Sequence, residues 1–361
     1  MKKNRYIVLL VLLLAVVALV LVLTNSTNTF RRSKSDFAVN DTSIVTKIFM
    51  SDKNNNSVKL SRLETGNWIL NDTYPALKFN VDLMLKTMCD IQVKAPVAMA
   101  AHNTIVKHLA VNGIKVEVYQ MVYRIDLFGI RLFPHEKLTK VYYIGGATPD
   151  NQANYALMEG SEEPFVIYLP GLRGFVTPRY STIERYWRDL TVFKNDIEEI
   201  AAVKLEVPEN PEYSFEVKLD RGRLKEFISL NDNKPLPNLD TLKVLNFLSG
   251  FRNVNFEAFL NDMDKRTRDS VMASVPFIIL TVTDVAGKTK VVKTFHKPNL
   301  FQQKDFQGRV LPYDPDRLYA LVNDGKDFVL IQYFAFNKIL RPKPYFQKGF
   351  RMPGTKPDGA S

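Results

Sequence analysis

Residues 45–96 read VTKIFMSDKNNNSVKLSRLETGNWILNDTYPALKFNVDLMLKTMCDIQVKAP, and this stretch decides the fold. Val45, Ile48 and Met50 lead into a polar turn at Asp52–Asn56, and Val58 and Leu60 follow. Two short apolar runs around a polar turn read as a β-hairpin. Gly66-Asn67-Trp68-Ile69-Leu70 is a further short strand that ends on Asn71-Asp72. Asn80-Val81-Asp82 then opens a helix, because Val81, Met84, Leu85, Met88 and Ile91 recur at helical spacing on one face. The chain leaves this helix through Val93-Lys94-Ala95-Pro96. Cys89, the only cysteine, lies in this apolar pattern and is expected as a small core side chain.

The same order returns further along. Ile200, Val203 and Leu205 precede a turn at Pro208–Pro211, and Phe215, Val217 and Leu219 follow. Leu224–Ile228 stands where the Trp68 strand stood, with Phe227 in place of Trp68. Asn238-Leu239-Asp240 opens a second helix with Leu242, Leu245, Leu248 and Phe251 inward, and Val254-x-Phe256 leaves it. Asn and Asp at both helix starts are suited to cap free N–H groups. Strands at Ile114–Val118 and Val141–Ile144 correspond to Ile278–Val282 and Val291-Val292. Tyr155-Ala156-Leu157 corresponds to Tyr319-Ala320-Leu321, and Phe165–Tyr168 to Phe328–Ile331. The offset is 155 residues at the first strand and 164 at Tyr-Ala-Leu, a drift that loop insertions produce. Such a period is far too long for a solenoid. The expected fold is α+β: two tandem duplicated modules, 42–180 and 190–340, each a mainly antiparallel sheet with one principal helix. Pro178–Ser181 and Tyr186–Asp189 are expected to connect them.

With Gly66-Asn67-Trp68 and, more loosely, the Val81–Ile91 helix, the chain resembles a domain-of-unknown-function family of bacterial envelope proteins (DUF4340-like). The resemblance extends over most of residues 42–335 and is better in the first copy. It implies an N-terminal membrane anchor and proximity to ABC-type exporter subunits of gliding machinery. It supplies no catalytic residues.

The N-terminus agrees with an anchor. Residues 7–23 read IVLLVLLLAVVALVLVL, an unbroken apolar run. At ~1.5 Å per residue it is about 25 Å long, within the range of a membrane span. No small-x-small processing site and no lipoprotein cysteine follow it. The expected organisation is a cytoplasmic segment 1–6, a transmembrane helix 7–23, a polar tether 24–41, the two modules, and a basic tail 341–361. The protein is thus expected as a single-pass protein of the bacterial inner membrane with its C-terminal domain in the periplasm. The formal charge of +11 sits at the ends: residues 1–36 and 338–361 carry +5 each, leaving the middle nearly neutral. This disfavours nucleic acid as a partner, since that requires a basic stripe on the folded part. It suits anionic headgroups or an acidic partner. The tail from Pro342 is expected to be loose, and its removal to leave the fold intact.

No chemistry stands out. His102, His108, His135 and His296 are scattered, and His135-Glu136 lacks the second histidine of a zinc-protease motif. One cysteine allows neither an internal disulfide nor a cysteine-based metal site. Gly145-Gly146 is expected as a tight turn. Glu162-Glu163, Glu198-Glu199 and Asp262/Asp264 are paired by proximity alone and expected on solvated turns. Phe328, Tyr333, Phe334 and Phe336 are expected in the core. No catalytic, cofactor-binding or metal-ligating residue is therefore nominated, and no cofactor. The expected function is a membrane-anchored envelope scaffold or accessory subunit of an inner-membrane assembly, such as an ABC-type exporter or gliding machinery, whose partners are other envelope or inner-membrane proteins. The alternatives are a periplasmic binding module for a glycan, lipid or peptide, with its groove between the modules, and an enzyme with an unrecognised site.

Overall fold

The computed structural model describes residues 6, 10–18, 36–127, 129–260, 262–305 and 307–350. The chain divides into two compact units, residues 1–189 and 190–361. Both are α+β, with antiparallel sheets and few helices. Residues 10–18 are helical; the rest of the apolar run 7–23 lies outside the described residues. Among the described residues no helix is long and apolar enough to cross a membrane.

The first unit contains β1 (Val45–Ser51), β2 (Ser57–Arg62), β3 (Trp68–Leu70), β4 (Tyr74–Pro75), β5 (Gln92–Pro96), β6 (Ile114–Leu127), β7 (Ile130–Ala147), β8 (Asn154–Met158) and β9 (Phe165–Tyr168). They form one sheet in the order β4-β3-β2-β1-β6-β7-β8-β9-β5. One face is covered by the Lys78–Asp90 helix, whose Val81, Met84, Leu85 and Met88 are buried against Ile48, Met50, Leu60 and Val116 in one core. Tyr180 and Trp187 belong to that core and are fully buried. The segment expected as a connector is thus part of the first unit, and the Trp187 indole N–H donates to the Ser181 carbonyl at 2.8 Å.

The second unit contains β10 (Thr191–Phe193), β11 (Ile200–Glu206), β12 (Phe215–Asp220), β13 (Arg223–Ser229), β14 (Val254–Asn255), β15 (Ala258–Phe259), β16 (Ile278–Asp284), β17 (Thr289–Pro298), β18 (Tyr313–Val322) and β19 (Asp327–Gln332). Its main sheet runs β13-β12-β11-β16-β17-β18-β19-β15, while β10 pairs with β14. Strand for strand this is the order of the first sheet, with the Ile228–Pro235 bridge standing where β4 stands. The registers agree as well. Ile48 lies between Leu60 and Val118, and Val203 between Val217 and Val282. Ile144 lies between Ile114 and Ala156, and Thr294 between Ile278 and Ala320. Ala95 faces Val166, and Ala258 faces Leu330.

Several expectations shift. Leu60 faces Leu70 and Val217 faces Phe227, so Phe227 stands at the position of Leu70, two residues from Trp68. The first helix opens at Lys78, and Leu77 before it supplies no side-chain cap. The Leu77 N–H instead donates to the Trp187 carbonyl at 2.6 Å, and Asn80 reaches the Tyr186 carbonyl from inside the helix. The second helix, Thr241–Ser249, is capped as expected: Asp240 accepts from the Lys243 N–H at 3.2 Å. It buries Val244, Phe247 and Leu248, while Leu242 and Leu245 are exposed. Replacing Asp240 by Ala is expected to cost about 1 kcal/mol in chemical denaturation. An unchanged midpoint would remove the cap from the account. Cys89 is exposed, because one step past buried Met88 turns ~100° away from the core-facing stripe. Phe328 and Phe336 are buried as expected, whereas Phe334 is exposed.

The expected loose tail is packed over its first part. Phe346 is fully buried, its carbonyl accepts from the Asp240 N–H at 2.8 Å, and Gln347 bridges to Leu239.

Candidate functional site

The residues singled out in the sequence are dispersed. His102 Nε2–H donates to the Glu162 carbonyl at 2.8 Å, and His108 is exposed on the same helix, Met99–Asn112. His135 lies on β7. His296 is stacked on Tyr313, ring centroids 4.0 Å apart, with Phe277 at 4.2 Å, and burial lowers its pKa. The acidic pairs serve turns and helix starts. Glu199 completes a capping box with Asp196, Asp264 accepts from the Thr267 N–H at 3.0 Å, and Glu162-Glu163 is exposed. Among the described residues no group of three or more His, Cys, Asp and Glu is placed to hold a metal ion. Gly145 is not in a turn. It lies in β7, where a Cβ would come within 2.7 Å of the Leu109 side chain of the overlying helix.

A cleft of about 380 Å³ opens in the second unit beside Glu206, Ser214 and Asn231, over Pro208, Pro211 and Leu230. Two of its polar groups are already engaged. Glu206 pairs with Lys204 at 2.9 Å, and the Ser214 hydroxyl accepts from the Val207 N–H at 2.9 Å.

Two projecting elements carry more. The first is the β6–β7 hairpin. The sheet neighbours of these strands end early, since β1 stops facing β6 at Gln120 and β8 stops facing β7 at Tyr142. After a bulge at Val118/Tyr119, and beyond Met121, the two strands continue alone to the pair Leu127–Ile130. This two-stranded arm was not read in the sequence, although Met121-x-Tyr123-x-Ile125, Gly129 and Ile130-x-Leu132 carry a period-two pattern around a turn. Residues paired across an antiparallel ladder share a face. Tyr123/Pro134, Ile125/Leu132 and Ile130 therefore make one apolar face. Near its end Ile130 is 59% and Leu132 45% exposed, and Phe133, which alternates to the other face, is 63% exposed. Phe133 also has φ of 59°, a left-handed conformation costly for a bulky side chain.

The base of the arm is fixed by charge. Glu136 accepts from Lys47 at 2.5 Å and from Thr46 at 2.7 Å. Burial pushes the Glu136 carboxyl up, but these two bonds and the Lys47 charge outweigh it and hold its pKa below the usual value. Lys140 pairs with the Asp36 carboxylate at 2.7 Å and donates to its carbonyl at 2.9 Å.

The second element is the loop between β17 and β18. Asn299 donates to the Gln303 and Leu311 carbonyls and accepts from the Gln303 N–H. Asp305 accepts from the N–H groups of Gln307 and Arg309. These bonds fix the backbone, and on it Leu300 is 73% and Phe301 82% exposed. The pattern in the sequence is too short and irregular to announce such a loop.

No curated protein and no solved structure matches the chain. Residues 68–270 match the model of a family described as Domain of unknown function (DUF4340). The match is narrower than the resemblance over 42–335, runs from β3 into the Lys265–Ala273 helix, and takes in neither unit whole. It nevertheless spans more than half of the sequence, and the chain belongs to the DUF4340 family.

Proposed function

We propose that this protein is a membrane-anchored envelope scaffold, an accessory subunit that docks a protein partner of an inner-membrane assembly. The observation that carries this reading is the 299–312 loop. Its backbone is held by its own hydrogen bonds while Leu300 and Phe301 face solvent. Apolar side chains on a preorganised loop lose little freedom on binding, so they suit a docking contact. Anchorage is supported by residues 10–18, a helical and wholly exposed stretch of the apolar run. The common strand order and register of the two sheets support an origin by tandem duplication of one module. An ABC-type exporter or gliding machinery is the assembly to test first.

The test is the size of the complex recovered from detergent-solubilised membranes. Leu300→Ala with Phe301→Ala is expected to release the protein from its assembly while its unfolding midpoint stays unchanged, since neither side chain is packed. Central contacts of this kind cost ~2 kcal/mol or more each when truncated, so loss of both should lower affinity on the order of 1,000-fold. A complex of unchanged size and affinity would exclude the loop as the docking element.

A further inference from the structure

We propose that the β6–β7 arm seats its end in the headgroup layer of an anionic bilayer. This rests on the anchored reading above and deepens it, because it says how the first unit meets the membrane.

Three observations lead there. The end of the arm exposes Ile130, Leu132 and Phe133 on a ribbon without sheet neighbours, so these side chains find no cover in their own unit. Apolar side chains at the tip of a β-ribbon can enter the boundary between headgroups and acyl chains while the outward-facing N–H and C=O groups of its two edges still meet headgroups and water.

The charges around this face are the second observation. The arm's two acidic groups are both engaged, Asp126 with Arg131 at 3.6 Å and Glu136 with Lys47. Arg124, three residues before the terminal Leu127–Ile130 pair, has no ion-pair partner among the described residues and is exposed. An apolar end beside an uncompensated cation is complementary to anionic headgroups, and a protein surface would have to supply a carboxylate in the same place.

The third is where the chain enters the unit. Asp36, where the description of the chain resumes, is held by Lys140 at the base of the arm. Gln120 and Met121 on β6 are bonded to the Asp41 and Ile44 carbonyls. The tether therefore reaches the unit beside the arm. The twelve residues from 24 to 35 span at most about 40 Å. The free part of the arm, residues 121–127, is about 23 Å long at ~3.3 Å per residue. A bilayer holding the apolar run 7–23 is thus within reach of the arm's end.

The experiment uses the full-length chain in vesicles of phosphatidylcholine and phosphatidylglycerol. Exposed Cys89 is replaced (Cys89→Ser), and an environment-sensitive fluorophore is attached at Ile130→Cys. The control label is at Asn54→Cys, in the β1–β2 turn, at the end of the sheet away from the arm. Matching unfolding midpoints establish that the labelled chains are folded. Nitroxide-bearing lipids are expected to quench the label at 130 and to leave the label at 54 bright. Each surface cation contributes roughly a 5-fold factor to such seating at low salt. Arg124→Gln is therefore expected to weaken it roughly 5-fold, and omission of phosphatidylglycerol to act in the same direction. Equal quenching at 130 and 54 overturns the proposal, as does quenching indifferent to both charge changes. A label at 130 shielded only when a co-purified protein is added would make the arm a protein-docking surface instead. Flotation after a carbonate wash reports the anchor separately. A chain that washes off but is quenched at 130 at low salt loses the anchor and keeps the arm, whereas one that stays on without quenching keeps the anchor and loses the arm.

Discussion

Ending the chain after Arg341 is expected to destabilise the second unit by at least 3–5 kcal/mol, whereas ending it after Phe350 should change its stability little. The estimate comes from Phe346 alone, since removing a fully buried phenylalanine side chain costs about that much. Its ring centroid lies 5.0 Å from Phe215, 5.1 Å from Phe227 and 5.2 Å from Phe247. These three rings come from β12, β13 and the Thr241–Ser249 helix, so Phe346 closes the end of the layer between sheet and helix. The shorter chain also loses the donor Lys343, bonded to the Ser229 hydroxyl at 2.8 Å, and the acceptor carbonyl for the Asp240 N–H. With a slope of ~2 kcal/mol per molar, the urea midpoint of the second unit should fall by about 2 M. Phe346→Ala should reproduce most of the loss. A midpoint unmoved by either change would mean that residues 343–350 contribute nothing to the fold.

That segment shows where sequence reading reaches its limit. The run Lys343-Pro344-Tyr345-Phe346 has no period, and its Pro and Lys content reads as loose chain. Its order comes from a cavity among three rings up to 131 residues away, which no local pattern contains. The helix start failed for a related reason. Asn80 and Asp82 are good caps by type, but the Leu77 N–H is met by the Trp187 carbonyl, so a tertiary contact sets the boundary two residues earlier. The alternating buried strands β1, β2, β11 and β12 were legible because their pattern is a direct record of which face meets the core. The projecting elements are the reverse case. On the arm and the 299–312 loop apolar residues face solvent, and a reading that equates apolar with interior passes over them. The arm still carried a usable signal in its alternation around Gly129, whereas the loop is specified by the side-chain bonds of Asn299 and Asp305.

Replacing Asp314 by Ala is expected to cost about 3–5 kcal/mol, because it leaves a buried ammonium without its counter-charge. Asp314 and Lys297 are 5% and 13% exposed and meet at 2.7 Å. The other carboxylate oxygen accepts from the N–H groups of Asp316 and Arg317 at 2.9 and 3.0 Å. Burial pushes the Asp314 carboxyl up, but the bond from Lys297 and the two backbone bonds outweigh it, and its pKa lies below the ordinary 3.8. A carboxyl whose folded pKa is depressed adds stability that is complete above its unfolded value and disappears as pH falls through the folded value. Asp314→Asn, which cannot ionise, should therefore be less stable than the natural chain at neutral pH, and the gap should close as pH drops below about 4. The pair also sits where β17 and β18 open into the 299–312 loop, next to the pair Pro298–Tyr313. Loosening it frees the base of the element that presents Leu300 and Phe301, so the Asn variant should weaken the assembly contact without touching either side chain. Urea denaturation from pH 7 to pH 3 checks the linkage. A gap of constant size over that range would show that the Lys297–Asp314 pair is not its source.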